Sequence, residues 1–214
     1  MSHAVVVDAV VLAGGRGSRL GGVDKPAIRV GGTTLLERAL AAVRCARTTV
    51  VVGPPRATPL DDAVHVQEDP PFAGPAAAIG AGLAVLGPSP EPSPWTVVLA
   101  ADLPGAVAAV QELLAAIDPD REPAVDAWIA TDPDGRRQYL LGVYRTRALD
   151  RACRDLVGAR GSLVGAPVRQ LLDPLPVVEV PLPAVLTADV DTPDDLARAV
   201  DREEHHDVLP TSAR

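Results

Sequence analysis

Aromatic residues are scarce in this chain of 214 residues. They account for 2% of it, whereas hydrophobic residues as a whole account for 47%, so the core must be built from Ala, Val and Leu. The chain has two cysteines, Cys45 and Cys153, and neither belongs to a motif with metal-binding or redox spacing. We expect both to be free thiols in a reducing cytosol.

Long apolar runs and clusters of basic residues are missing as well. No apolar run approaches the roughly 20 residues of a transmembrane helix, and the N-terminus lacks the charged segment and cleavage site of a signal peptide. The formal net charge of −8 argues against a nucleic-acid-binding surface. We therefore expect a soluble cytoplasmic protein that binds neither nucleic acid nor a membrane. The sequence leaves its oligomeric state open.

Short apolar runs bounded by Gly, Pro or Asp alternate with helical patterns. The runs that predict strands lie at residues 5–12, 48–52, 64–67, 95–100, 124–131, 138–145 and 177–180. The helical patterns begin at the Thr34–Glu37 capping box, at Pro75, and at residues 105, 146, 162 and 192. This order predicts an α/β fold with a doubly wound, mostly parallel sheet in three α/β/α layers. We assign residues 1–201 to a single domain and residues 202–214 to a polar tail.

The helix predicted over residues 105–118 has an apolar stripe. With a period of 3.6 residues, the stripe should face the sheet. It comprises Val107, Val110, Leu113, Leu114 and Ile117.

The first predicted strand runs into a loop with five glycines and three cations. The loop reads AGGRGSRLGGVDKP over residues 13–26, and its cations are Arg16, Arg19 and Lys25. Glycines let a phosphate approach the backbone and leave N–H groups free to bind it, which favours a polyphosphate ligand over a merely mobile loop. Two familiar phosphate-binding motifs do not fit. The third glycine of G-x-G-x-x-G is replaced by Leu20, and residues 23 and 24 are not the Lys-Ser/Thr of a P-loop.

Lys25 stands out because it is the only lysine in the chain. Every other one of the 20 basic residues is arginine. An ammonium on a flexible stem is suited to a phosphate that moves during a reaction. We therefore expect Lys25 and Arg19 to hold the phosphates, with the backbone of Gly14, Gly15 and Gly17 beside them.

Acidic residues follow several of the predicted strands, where ligands bind in open α/β sheets. Asp69 follows the third strand and Asp102 follows the strand at residues 95–100, while Asp189 and Asp191 precede the last helix. A carboxylate at such a position suits Mg²⁺, and its alternative role is to cap the next helix. We expect Asp102 to bind Mg²⁺ and treat Asp191 as a second metal-ligand candidate.

The glycine loop resembles the molybdenum cofactor guanylyltransferase family. That family has roughly LAGGxSxRMGxDK where this chain has LAGGRGSRLGGVDK, with Leu20 in place of Met. Weaker resemblances lie at DPPFAGPAAAI (residues 69–79), ADLPG (101–105), QYLLGVYR (138–145), RGS (160–162) and ADVDTPDDL (188–196). In the last of these, Asp189 and Asp191 replace the usual asparagines.

The resemblance implies a Rossmann-like nucleotidyltransferase fold and a specific reaction. In that reaction GMP passes from GTP to the phosphate of molybdopterin, pyrophosphate is released, and Mg²⁺ is the cofactor. It also implies that residues 12–14 (Leu12, Ala13 and Gly14) and Asp69 contact the nucleoside, and that Asp102 binds the metal. A further implication is that residues 138–145 line the acceptor side and that Arg160 with a helix start holds an acceptor phosphate. A protein that delivers or accepts molybdopterin is a candidate partner.

Other functions fit the same residues. One alternative is cytidylyl transfer to the same cofactor, and another is guanylyl transfer to a small phosphate such as phospholactate. The Gly14–Gly15 pair favours guanine, because pyrimidine-using relatives tend to have Ala-Ala-Gly there. A nucleotide-binding regulatory subunit is the non-enzymatic alternative, and the presence of Lys25 and Asp102 argues against it.

Overall fold

The computed structural model describes residues 5–15, 21–56, 58, 60, 62–87, 93–118 and 124–207. The strands are β1 (Val7–Leu12), β2 (Arg29–Val30), β3 (Thr33–Thr34), β4 (Thr49–Val52), β5 (Val64–Val66), β6 (Trp95–Ala100), β7 (Ala127–Thr131), β8 (Arg137–Arg145) and β9 (Val177–Pro181). The helices are α1 (Leu35–Ala42), α2 (Pro75–Leu86), α3 (Ala106–Ala116), α4 (Thr146–Arg160), α5 (Val168–Leu172), α6 (Ala184–Thr187) and α7 (Pro193–Asp207). A 3₁₀ turn spans Lys25–Ala27.

Seven of the strands form one sheet in the order β5–β4–β1–β6–β8–β7–β9, and β2 pairs with β3 in a separate hairpin. Neighbouring strands are parallel except where β8 pairs with β6 and β7, so β8 runs against the other six. The predicted α/β fold with a mostly parallel sheet is confirmed. The strand β8 takes its antiparallel direction because a short turn, Asp132 to Arg136, joins it to β7.

Helices cover both faces of the sheet. The strand β1 is buried throughout, with Val7, Ala9 and Val11 on one face and Val10 and Leu12 on the other. The first face packs against α1 and α3, and the second against α2, α4 and α5. The central strand thus has two apolar faces, as a sheet with helices on both sides requires. None of the helices in the described ranges is long and apolar enough to cross a membrane.

Local signals place the starts of several helices as expected. Thr34 Oγ1 accepts a hydrogen bond from Glu37 N at 3.1 Å and Glu37 Oε2 accepts one from Thr34 N at 2.6 Å, which completes the capping box of α1. Pro75 opens α2, where its missing N–H costs no hydrogen bond. The helix α7 begins at Pro193, with Thr192 Oγ1 accepting from Asp195 N.

Three sequence-based expectations were wrong in detail. The helix predicted at residues 162–172 is confined to Val168–Leu172, because Gly165 has φ 65° and Pro167 lacks an N–H. Val107 in α3 is exposed rather than packed on the sheet, because the buried stripe of this helix consists of Ala106, Ala109, Val110 and Leu113. The last helix continues to Asp207, past the domain end predicted at residue 201.

Candidate active site

Hydrogen bonds fix the carboxyl ends of β1, β4 and β6 at one edge of the sheet. Ala13 N donates to Val52 O at 2.8 Å, and Ala101 N donates to Leu12 O at 3.0 Å. The glycine loop and Asp102 therefore start from neighbouring strand ends. Gly14 and Gly15 continue from β1 and line a cleft, with Gly15 at φ 151°. Gly17 and Arg19, two of the predicted phosphate-binding residues, lie outside the described residues.

Lys25 returns from the glycine loop to the end of β6. It opens the 3₁₀ turn Lys25–Ala27, and Pro26 within this turn is buried and anchors it. The ammonium Nζ donates to Asp191 Oδ1 and lies 3.9 Å from Asp102 Oδ2. The side chain of Lys25 is 18% exposed and that of Asp102 is 25% exposed, so the group lies at the wall of a cleft rather than in bulk solvent. The structure thus brings together the lysine and the carboxylate that the sequence singled out.

Asp102 does not serve the alternative role of a helix cap. The helix α3 starts at Ala106 after Gly105, and no side chain caps it. The carbonyl oxygen of Asp102 accepts a hydrogen bond from Val190 N at 3.0 Å, which holds the segment with Asp189 and Asp191 beside the end of β6. Burial, followed by the negative charge of Asp189, raises the pKa of Asp102 to about 6, while Lys25 opposes the rise.

Asp189 and Asp191 complete a cluster of three carboxylates. One oxygen from each of Asp102, Asp189 and Asp191 lies within 4.8 Å of the other two. Burial, followed by the charge of Asp191, raises the pKa of Asp189. The carboxylate that caps the N-terminal turn of α7 is that of Asp195, which accepts from the N–H groups of Asp191 and Thr192.

The carboxylate cluster has the chemistry of a site for a divalent cation. Mg²⁺ takes hard oxygen ligands at about 2.1 Å, so two oxygens on one ion lie roughly 3–4 Å apart. The observed spacing within 4.8 Å comes close to this and needs small side-chain movements to reach it. The mutual repulsion that raises the pKa of Asp102 is also what a divalent cation would relieve. The donor set therefore fits a metal.

A cleft of about 320 Å³ runs from the acidic cluster over the glycine loop. Its walls include Leu12, Gly14, Gly15, Glu68, Phe72 and Asp102. Predicted nucleotide-binding residues thus line one cavity, with Ala13 buried beneath it.

Asp69, by contrast, is not placed with them. It is exposed and lines a neighbouring cavity of about 430 Å³ together with Cys153 and Arg154. Glu68 faces the cleft in its place, because the side chains of consecutive residues leave the end of β5 in different directions.

A second cavity, of about 260 Å³, adjoins Asp102 on its other side. Asp189 and residues 137–141 of β8 contribute to its walls. Arg137 is the first residue of β8, and its Nε donates to Glu179 Oε1 at 2.8 Å. Asp102 therefore lies between two cavities, as a residue that acts on two substrates would.

The predicted phosphate site at Arg160 is wrong in its geometry. Arg160 ends α4, and Gly161 follows it in the left-handed conformation with φ 82°. Residues 162–167 are not helical, so no helix N-terminus points to this position. The guanidinium of Arg160 donates to Gln170 Oε1 at 3.1 Å.

Sequence reasoning also missed Arg56, which connects the two ends of the glycine loop. Its Nη2 donates to Ala13 O at 3.0 Å, and its Nη1 donates to both oxygens of Asp24 at 2.9 Å. The side chain is 14% exposed. The one signal in the sequence was an arginine shortly after a strand that neighbours the loop.

A family model and a named protein that match this chain point to the same family. Residues 9–174 match the family described as the MobA-like NTP transferase domain. A protein of Mycobacterium tuberculosis named "Probable molybdenum cofactor guanylyltransferase" is 34% identical over 159 residues, which cover 72% of this chain and 75% of that protein.

Solved structures with the same fold include enzymes for different nucleotides. Molybdopterin-guanine dinucleotide biosynthesis protein A from Archaeoglobus fulgidus has a TM-score of 0.64 at 21% identity, covering 92% of this chain and 99% of its own. The 2-C-methyl-D-erythritol 4-phosphate cytidylyltransferase from Thermus thermophilus has the same TM-score at 22% identity, covering 93% and 99%. At these identities the likeness shows the fold alone, and it does not distinguish one nucleotide from another.

Proposed function

The chain belongs to the MobA-like NTP transferase family and is a nucleotidyltransferase, and from this we propose that it transfers GMP from GTP to the phosphate of molybdopterin with release of pyrophosphate. The observation that carries the proposal is the convergence of Lys25 and Asp102 at one end of a cleft lined by the glycine loop. The names of the relatives support GTP as donor and molybdopterin as acceptor.

In the proposed complex the triphosphate lies over the glycine loop. The backbone N–H groups of Gly14, Gly15 and Gly17 bind phosphate oxygens, and Lys25 and Arg19 neutralise the charge that builds up on them. The base and ribose lie in the cleft beyond, against Leu12 and Ala13. Asp69, implied by the resemblance to contact the nucleoside, lines the neighbouring cavity rather than this cleft.

The acceptor phosphate enters from the cavity beside β8. One of its oxygens forms a bond to the α-phosphorus, the bond from that phosphorus to the bridging oxygen of the β-phosphate breaks, and pyrophosphate leaves with the electron pair. A phosphate oxygen is already a nucleophile, so the protein supplies position and charge rather than a covalent intermediate. Asp102 lines both cavities, which supports a role for it beside the bond that forms.

Asp102 and Asp191 would hold Mg²⁺, and Asp189 is the alternative second ligand. Such an ion supplies charge neutralisation for the phosphate oxygens. Lys25 is within reach of both aspartates, and its charge lowers the pKa of Asp102, which favours the ionised form that binds a cation.

The test is to incubate the purified chain with Mg²⁺, molybdopterin carrying molybdenum, and GTP or CTP, and to measure the dinucleotide product and pyrophosphate. We expect product with GTP. Product with CTP alone would instead indicate a cytidylyltransferase, and product with phospholactate as acceptor would indicate the other guanylyl transfer. Absence of pyrophosphate with every pair, despite nucleotide binding, would favour a regulatory subunit. A protein that delivers molybdopterin to this chain would raise the rate of the reaction between GTP and molybdopterin.

A further inference from the structure

Glu68 carries a carboxylate that is buried at the cleft without being fully hydrogen-bonded. The residue is 6% exposed and lines both the cleft, beside Gly14 and Phe72, and the neighbouring cavity that Asp69 lines. Its Oε1 accepts a hydrogen bond from Phe72 N at 3.0 Å, whereas Oε2 is buried and has no hydrogen-bond partner among the described residues. None of the ion pairs within the described ranges involves Glu68.

A carboxylate in this position works against folding. Burying an acceptor without a donor costs free energy, and the cost is greater for a charged group. Such a group is expected where a ligand supplies the missing donor. The buried, unpaired oxygen of Glu68 is therefore better explained by a ligand that binds in the cleft than by a contribution to folding.

The surroundings of Glu68 suit a nucleobase. The ring of Phe72 is 44% exposed and lines the cleft, and its backbone has φ 62°, a conformation that is costly for a residue with a side chain. An aromatic wall stacks on a base. A Cβ at Gly14 would lie 3.9 Å from Glu68 Oε1, so the missing side chain leaves space next to the carboxylate.

We propose that Glu68 selects guanine, an inference that rests on the proposed function and names the residue that reads the base. An ionised carboxylate can only accept hydrogen bonds. Guanine presents two neighbouring donors, N1–H and the 2-amino group, which match the two carboxylate oxygens once the buried Oε2 turns towards the cleft. Adenine, cytosine and uracil each present an acceptor on the corresponding edge, which the carboxylate repels. A polar site built for one pattern of donors discriminates strongly against bases that lack it.

The first test measures nucleotide binding to the unmodified chain by calorimetry, with no acceptor present. ITP differs from GTP only in lacking the 2-amino group, so we expect it to bind about 10- to 100-fold more weakly. ATP and CTP should bind more weakly still. Equal affinities for GTP and ITP would overturn the role of Glu68. This comparison of the two nucleotides uses only the unmodified chain.

The second test uses Glu68→Gln. The amide oxygen can still accept from Phe72 N, so the amide NH₂ takes the place of Oε2 and opposes a donor of guanine. GTP affinity should fall about 10- to 100-fold. The matched control is Glu112→Gln, because Glu112 is exposed on α3. Unchanged GTP affinity in Glu68→Gln would overturn the inference, provided that its melting temperature shows a folded protein.

The outcomes separate this inference from the proposed function. Tight GTP binding with no discrimination against ITP would overturn the role of Glu68 and leave guanylyl transfer intact. Selection of GTP by Glu68 with no transfer to any acceptor would overturn the proposed function alone. A preference of the unmodified chain for CTP would overturn both.

Discussion

Lys25 Nζ and Asp102 Oδ2 lie 3.9 Å apart, although one residue ends the glycine loop and the other follows β6. The same ammonium contacts Asp191. One lysine thus neutralises part of a cluster of acids at the end of the cleft. The predicted effects of replacing Lys25 or Asp102 rest on this relationship.

Replacing the ammonium should affect both rate and pH dependence. In Lys25→Met, we expect kcat/KM to fall about 10²- to 10³-fold, because a charged donor to the phosphates is lost. Lys25 also lowers the pKa of Asp102, so its removal should move the acidic limb of the pH–rate profile to higher pH. The matched control is Arg44→Met, which removes an exposed cation in the turn that follows α1. A Lys25→Met enzyme with normal kcat/KM would refute the role of this residue.

Metal binding should depend on pH near the pKa of Asp102. Burial and the charge of Asp189 raise this pKa to about 6, and only the ionised carboxylate binds a cation. We therefore expect Mg²⁺ to raise the melting temperature at pH 7.5 and to have little effect at pH 5. The measurement is a thermal-shift titration at both pH values. An equal Mg²⁺ effect at pH 5 and pH 7.5 would contradict this.

The same pKa predicts how Asp102 affects stability without metal. Its folded pKa of about 6 exceeds the ordinary aspartate value of 3.8, so the folded chain binds the proton more tightly than the unfolded chain. The resulting stability is fully present below pH 3.8 and is lost as the pH rises through about 6. Asp102→Asn should therefore stabilise the metal-free chain at pH 7.5 by about 1–3 kcal/mol. A lower free energy of unfolding for the variant in urea would oppose this.

Close packing of α2 on β1 should depend on Gly82. A Cβ there would lie 2.5 Å from Val10 Cγ1, too close for any unrelaxed structure. We expect Gly82→Ala to destabilise the fold by about 1–3 kcal/mol. Gly158 in α4 has no neighbour within 4 Å of its Cβ position, so Gly158→Ala should stabilise the helix by about 0.5–1 kcal/mol. Urea denaturation of the two variants would show opposite signs, and a stabilising Gly82→Ala would be inconsistent with the packing.

The end of α7 should contribute to stability. Glu203 Oε1 lies 2.7 Å from Arg38 Nη1, and Arg38 Nη2 donates to Val30 O. A chain shortened to end at Asp201 should melt a few degrees lower, because it loses about 1 kcal/mol with this partly buried pair. A chain ending at Asp207 should melt as the full chain does. Equal melting temperatures for the two shortened chains would support a domain that ends at residue 201.

Sequence patterns predicted the features that depend on residues close together in the chain. The capping box of α1, the position of Pro75 and the apolar runs of β1 and β6 each depend on nearby residues, and the structure contains them. The positions of Asp102 after β6 and of the glycine loop after β1 followed from the rule that ligands bind at the carboxyl edge of a parallel sheet.

Sequence patterns could not predict the features that depend on contacts between residues far apart in the chain. The apolar run of β8 does not reveal that it lies between β6 and β7 and runs against them. Glu68 and Asp69 are adjacent acids after a strand, and only the path of the chain there determines that Glu68 is buried in the cleft. The approach of Asp189 to Asp102 depends on the hydrogen bond from Val190 N, which joins distant segments.

We propose that Asp102 takes part in the reaction of the phosphates and does not stabilise the fold. The most direct measurement is Mg²⁺-dependent pyrophosphate release with GTP and molybdopterin, by the unmodified chain and by Asp102→Asn. We predict that the variant stays folded and loses at least about 10³-fold in kcat, because it cannot bind the cation. An Asp102→Asn chain that releases pyrophosphate at the unmodified rate would contradict the account.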